Sequence, residues 1–394
     1  MIKVFPQRLR LAAKQCHTLR LIYPTRAMHQ NKLIHWLLLM LLLGGCAGEH
    51  PVSAPPVLNT ADAKALIEQA LPRSASDKAG WTADMYSAFT VLTVAPTREN
   101  ICAVVAVIEQ ESGFRVDPVI PGLGAIARKE INSRASRAHV PLVLVNGVLQ
   151  LKSSDGRTYG ERIDAARTEK DLSDAYEDFI GAVPLGQALF ADRNPIRTRG
   201  PMQVNVAFAE QFSFAAPYPY PVHSSIADEL FTRRGSVYFG VAHLLDYRAP
   251  YDQFLYRFAD FNAGQYASRN AAFQNALSVA SGIPLIADGA LLPHDSDVNS
   301  PGDTELALRT LASRLKMSTG AIHSALLDGR TKGFEATPLY QRVFDMAEQR
   351  SGVKQPRAMV PRIKLAGPKI KRSLTTDWYA HRVDDRFKRC LAAL

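Results

Sequence analysis

Residues 97–114 read TRENICAVVAVIEQESGF. Thr97 is a capping residue, Glu99 and Asn100 fall in the first turn, and Gly113 supplies a stop. Between them Ile101, Val104, Val107 and Ile108 recur at helical spacing and form one apolar stripe. The stretch predicts an amphipathic helix over 97–112. Glu111 follows Ile108 and Val107 by three and four residues, which places it on the same stripe. A carboxylate that ends an apolar face is costly to bury when charged, so its pKa is expected to rise. An acid that keeps its proton near neutral pH can act as a general acid. Glu109, about 200° round the helix from Glu111, is expected to face solvent. The plainer reading of Glu111 is a helix-end carboxylate paired with an arginine.

Outward from this helix, the chain reads as mainly α. Residues 59–71 begin with Asn59 and Thr60 and continue at helical spacing. Residues 161–181, 225–247, 251–281, 303–316, 319–328 and 337–351 also read as helices. Residues 142–151, LVLVNGVLQL, are two β-prone runs around Asn146-Gly147 and predict a small hairpin. Residues 216–222 and 286–303 are Pro-, Tyr-, Gly- and Asp-rich loops, and no fixed-period repeat is present.

The 394 residues carry 47 Lys+Arg against 37 Asp+Glu, a formal charge of +10, with 47% apolar residues. This composition excludes disorder and a polytopic membrane protein. The charge is concentrated at the two ends. Residues 1–45 hold seven basic residues and no acid, and residues 353–394 hold eleven basic residues against three acids. The body between them is therefore slightly acidic, which argues against a nucleic-acid partner. Residues 353–394 read as a basic tail whose Lys369, Lys371, Arg372, Arg386, Lys388 and Arg389 form a solvated charged surface.

Residues 33–43, LIHWLLLMLLL, are too short to span a bilayer and suit the core of a signal peptide. Leu43-Gly44-Gly45-Cys46 resembles the bacterial lipobox. By that resemblance residues 1–45 are a removed signal peptide, with translation expected to start at Met28, and Cys46 carries lipid. Ala47 then implies delivery to the outer membrane, facing the periplasm. Residues 46–58 read as a Pro- and small-residue-rich tether. Cys102 and Cys390 are left in an oxidising compartment, either as a disulfide closing a very long loop or as two buried thiols.

Glu111-Ser112-Gly113-Phe114 resembles the Glu-Ser-x-Phe motif of lytic transglycosylases and goose-type lysozymes. Gly200-Pro201-Met202-Gln203-Val204 resembles their Gly-Leu-Met-Gln-Val segment, and Phe261-Asn262-Ala263-Gly264 their Tyr-Asn-Ala-Gly segment. Gly240 to Leu245 resembles the Gly-x-x-Tyr-Leu helix before it, and Glu335 to Tyr340 resembles the Glu-Thr-x-x-Tyr segment after it. The motifs occur in the family's order between about 97 and 345. Pro201 stands in place of Leu and Phe261 in place of Tyr. The 92 positions from Glu111 to Gln203 mark residues 115–197 as an insertion beside the cleft, containing the hairpin and the charged helix. The chain is similar to an uncharacterised group of bacterial lipoproteins with this core.

The resemblance implies a lysozyme-like helical domain over 59–352 that acts on peptidoglycan glycan strands. Its single catalytic acid would be Glu111. Ser112, Gln203 and Asn262 would hydrogen-bond substrate, Met202 and Phe261 would be apolar walls, and Tyr340 would complete the site. As a lytic transglycosylase, the enzyme would cut the β-1,4 bond between N-acetylmuramic acid and N-acetylglucosamine and leave a 1,6-anhydro end. A hydrolytic lysozyme would need a second carboxylate. Asp117 and Asp260 are the nearest candidates, although Asp117 before Pro118 reads as a turn former and Asp260 as a helix-face residue. A non-catalytic glycan-binding or scaffold lipoprotein is the alternative. The sequence has no His-Glu-x-x-His and no Cys-x-x-Cys, so no metal and no cofactor are expected. His243 reads as a core histidine with its polar atoms satisfied.

Overall fold

Thr97 does cap the central helix: its hydroxyl accepts from the Asn100 amide at 3.2 Å. The computed structural model describes residues 59–182, 194–216, 218–293, 297–365, 367 and 372–394. The signal segment 1–45, the tether 46–58 with Cys46, part of the insertion, and Lys369 and Lys371 of the basic segment lie outside the described residues. The described residues are mainly α-helical, with four two-residue strands.

Three helices open the fold: α1 (Thr60–Ala70), α2 (Lys78–Val91) and α3 (Arg98–Glu111). Four helices follow, α4 (Leu123–Arg137), α5 (Leu142–Leu149), α6 (Tyr159–Ala165) and α7 (Glu169–Ala182). Next come β1 (Thr198–Arg199) and β2 (Val204–Asn205), an antiparallel pair, and α8 (Val206–Ala215). The chain continues through α9 (Ile226–Glu229), α10 (Arg233–Leu245), α11 (Phe254–Ala263) and α12 (Ala267–Ser281). The helices α13 (Asp303–Thr310), α14 (Ala312–Leu315), α15 (Thr319–Leu327) and α16 (Pro338–Ser351) lead to a second antiparallel pair, β3 (Lys364–Leu365) and β4 (Leu374–Thr375). That pair delivers α17 (Thr376–Ala393).

Two hydrophobic cores form. The first gathers α1, α2, α3, α10, α11 and α17 around Trp81, Met85, Phe89, Ile101 to Ile108, Met202 and Phe258. The second packs α12, α13, α15 and α16 around Phe273, Leu308, Phe334 and Phe344. Asp260, on α11, joins them. Its wholly buried carboxylate accepts from the backbone amides of Tyr266 (3.0 Å) and Ser268 (2.7 Å), at the start of α12, and from the phenols of Tyr247 and Tyr251. It is therefore not a helix-face residue. The amides that begin α12 lack partners within their own helix, and Asp260 supplies one from the preceding helix.

Five expectations are corrected. Residues 142–151 are not a hairpin: Leu142–Leu149 is the helix α5, which starts at Pro141 and carries Asn146 and Gly147 inside it. A short apolar run fits either helix or strand, and here the amides of Gln150 and Leu151 bond back along the same chain. The single charged helix over 161–181 is two helices, because Asp171 accepts from the amides of Arg167 and Thr168 and starts α7 afresh. Residues 225–247 divide where the Thr232 hydroxyl caps α10, and residues 251–281 divide at Gly264, whose φ of 109° continues no helix. Residues 353–394 are not a solvated tail. Tyr379, Ala380, Val383 and Phe387 make an apolar stripe that buries α17 in the first core, directly against α3.

Candidate active site

Helix α3 reaches the site through a wholly buried middle. Residues Ile101 to Ile108 are all shielded, and Glu111, its last residue, emerges half-buried. The side chain facing it comes from α17, the phenol of Tyr379. Burial first, and the Glu111 charge second, hold that phenol well above its usual pKa, so it stays protonated. Glu109 is not free in solvent, since Arg386 and Arg389 of α17 lie 3.6 and 3.8 Å from its carboxylate.

After Glu111 the chain reverses tightly. The Ser112 hydroxyl is buried and donates to the Ile108 carbonyl at 3.1 Å, so it closes its own helix. Gly113 and Phe114 then both take positive φ, 59° and 63°. For Phe114 this conformation is strained, and its burial edge-on against Trp81, 5.1 Å between ring centres, holds it there. The turn opens on a cleft of about 410 Å³ lined by Trp81, Phe114, Arg115, Asp117 and Arg233. Asp117 is held above the usual carboxylate range, first by desolvation and then by the charges of Asp171 and Glu169, against a lowering hydrogen bond with Thr168.

The second motif is the turn between β1 and β2. Met202 is fully buried against Gly240 of α10, where an added Cβ would lie 2.2 Å from the Met202 sulfur. Only glycine admits that approach. The Met202 amide donates to the Ser236 hydroxyl at 3.0 Å, and Gln203 takes a φ of 53°. The Gln203 side chain is engaged at both ends. Its Oε1 accepts from Thr198 at 2.9 Å, and its Nε2 donates to Glu169 at 2.8 Å and to the Gly200 carbonyl at 3.3 Å. Glu169 is the first residue of α7. Arg199, beside this turn and buried, binds Glu177 of the same α7 at 2.8 Å and Asp228 at 3.4 Å. Helix α7 is thus tied to this turn through Glu169 and Glu177.

In the third motif, Phe261 is buried against the His243 ring, with ring centres 5.0 Å apart. His243 also meets Phe208 at 4.4 Å, and desolvation lowers its pKa to about 4. Its Nδ1 has no hydrogen-bond partner among the described residues, so it is a neutral core histidine with one polar atom unsatisfied. Asn262 is exposed, and its Oδ1 accepts from Thr376, the first residue of α17, at 2.9 Å. A second cleft, of about 600 Å³, follows this turn and is lined by Asp246, Arg248, Gln265, Tyr266, Arg330 and Lys332.

The structure therefore gathers Met202, Phe261, Tyr379 and the α3 helix behind Glu111 in one core. It does not bring in Tyr340, which is buried in the second core, stacked on Phe273 and packed against Phe334 and Phe344. That side chain is a core aromatic. Sequence reasoning missed Tyr379 and Glu169. The spacing of Tyr379, Val383 and Phe387 was a readable helical signal for the first, whereas Glu169 carries no distinguishing mark among many charged neighbours. Among the described residues no group of three His, Cys, Asp or Glu side chains could hold a metal ion.

The model of a family described as protein of unknown function (DUF1615) matches residues 74–393. Uncharacterized protein YaiW of Escherichia coli (strain K12) is 48% identical over 355 residues, covering 90% of this chain and 96% of that protein. No solved structure matches.

Proposed function

The chain belongs to the DUF1615 family, and for this member we propose a peptidoglycan-cleaving glycosidase, a lytic transglycosylase attached to the outer membrane through lipid on Cys46 and facing the periplasm. The observation that carries the reading is Glu111. It is a carboxylate at the half-buried end of a buried helix, and the turn that follows it opens on an aromatic-walled cleft. In the reaction, Glu111 gives its proton to the bridging oxygen as the bond to the anomeric carbon breaks. The sugar's acetamido group supports the developing positive charge. The 6-hydroxyl of the same sugar then attacks the anomeric carbon and returns a proton to Glu111, so no water is consumed. Trp81 and Phe114 wall the cleft on which the turn after Glu111 opens. The basic residues Arg248, Arg330 and Lys332 of the second cleft suit the carboxylates of peptide stems.

A specific observation favours a second reading, a glycan-binding lipoprotein without turnover. The polar groups expected to hold substrate are engaged inside the protein: Ser112 on Ile108, Asn262 on Thr376, and Gln203 on Thr198, Gly200 and Glu169. Digestion of purified sacculi, followed by mass spectrometry, separates the readings. The enzyme releases 1,6-anhydromuropeptides. Reducing-end products would indicate a hydrolase, with Asp117 as the second carboxylate because Asp260 is fully buried. Binding without products would favour the second reading.

A further inference from the structure

The insertion carries a surface that the catalytic reading does not use. Helix α5 has the sequence LVLVNGVL, and Leu149 is its only buried residue. Val143 is 74% exposed and Leu144 59%, and Leu142, Val148, Val140 and Leu151 are exposed around them. A soluble surface rarely leaves so many large aliphatic side chains contiguous in water, and such patches mark interaction sites. The helix is held from behind by α4 and α6, so the patch faces outward from a packed support.

We infer that α5 is a membrane-contact element, which lays its apolar side chains into the headgroup region of a bilayer rich in anionic lipid. The charge around it argues for that occupant. Between Arg128 and Lys152 the chain has five basic residues, Arg128, Lys129, Arg134, Arg137 and Lys152, against the single acid Glu130. Arg134 and Arg137 share Glu130, and Arg128 pairs with Asp164 of α6, so the unpaired charges are lysines. Lys129 and Lys152 have no ion pair among the described residues. An apolar ridge with a cationic rim is complementary to anionic headgroups. Reach agrees with it: the thirteen residues from Cys46 to Leu58 span at most about 45 Å when extended. A second contact on the folded domain would set which face meets the membrane.

The test uses the full chain, purified in detergent and reconstituted into vesicles of phosphatidylethanolamine and phosphatidylglycerol. An environment-sensitive fluorophore is placed through Val143→Cys or, as a control, through Val353→Cys, which is also exposed at 63%. The signal of the chain without an added cysteine is subtracted. The bonded pair Cys102–Cys390 does not react without reductant. Lipid-borne nitroxide should quench the probe at 143 roughly threefold more than at 353, with a blue shift at 143 alone, as for side chains about 5–10 Å below the surface. Replacing phosphatidylglycerol with phosphatidylcholine should weaken the difference. Equal quenching at the two positions overturns the inference, as does shielding of 143 in native envelopes but not in vesicles, which would assign the patch to a protein partner. Glu111→Gln should leave the quenching unchanged, so this result stands or falls apart from the catalytic reading.

Discussion

Glu111 and Tyr379 face each other at one end of an antiparallel helix pair, α3 and α17, whose other end is fastened by the Cys102–Cys390 disulfide. From Cys102 to Glu111 is nine residues and from Cys390 to Tyr379 eleven, about 14 and 17 Å of helix. The distances match, so the bond sets the register in which the acid meets the phenol. Arg98 donating to the Leu391 carbonyl, and Glu109 beside Arg386, fit the same register.

If Glu111 is the proton donor, Glu111→Gln should lower release of 1,6-anhydromuropeptides by roughly 10²–10⁴ while sacculus binding persists. Glu109→Gln should leave turnover unchanged and cost at most about 1 kcal/mol, since its ion pairs with Arg386 and Arg389 are partly exposed. Equal turnover in wild type and Glu111→Gln would remove the mechanism.

The disulfide joins residues 288 positions apart. In a chain-entropy account, a loop of that length contributes about 5–6 kcal/mol. Thermal unfolding with and without reductant should show a large fall in melting temperature on reduction. In the unreduced, unfolded chain neither thiol should alkylate, and two alkylated thiols would refute the bond.

Two buried groups give opposite pH slopes. Asp260 titrates at about 7 in the fold against an ordinary 3.8, through desolvation that outweighs its hydrogen bonds. Its protonated form is favoured by folding, so the contribution is fully present below pH 4 and is lost as pH rises through 7. His243 titrates at about 4 against 6.5, so its contribution is present above pH 6.5 and is lost as pH falls through 4. Each amounts to roughly 3–4 kcal/mol. Denaturation midpoints across pH 4–8 should lose the alkaline-side fall in Asp260→Asn and the acid-side fall in His243→Phe. Unchanged slopes would show that other groups control them.

Gly240→Ala should cost about 1–3 kcal/mol, because the new methyl collides with Met202. Combined with Met202→Ala, the loss should be smaller than the sum of the two single losses. Additive losses in chemical denaturation would mean that the contact is not what selects glycine.

Cys46→Ala should yield a chain that takes up no labelled fatty acid and keeps its leader. Absence of label from the wild type would end the lipoprotein reading.

What the sequence made legible was local. Thr97, the Ile101 to Ile108 stripe and Thr337 with Pro338 mark helices through chemistry written within one turn, and those helices form as expected. The breaks at Thr232 and Gly264 were written in equally plain residues, but the apolar pattern on either side ran on and hid them. Asn146-Gly147 misled because its turn preference holds only when two strands can pair across it. Leu142 to Leu149 instead closes its hydrogen bonds within itself. Helix α17 was concealed by its charge: Arg382, Arg386, Lys388 and Arg389 dominate a count, whereas Tyr379, Val383 and Phe387 determine the packing. At the site, the backbone motifs were readable. Beyond its own turn Gln203 is held by Glu169, and Asn262 by Thr376, both far along the chain, and no local pattern reports them.

The pairing of α3 with α17 also fixes a timetable for biosynthesis. Eight consecutive apolar side chains of α3 leave the ribosome well before the surface that covers them exists. Until residue 390 has followed, Cys102 has no proper partner and any earlier cysteine encounter is an error. Contacts of such separation form slowly. The first core therefore stays incomplete until α17 has followed. A premature stop anywhere before α17 would leave a product with its central helix uncovered, exposed to aggregation and proteolysis.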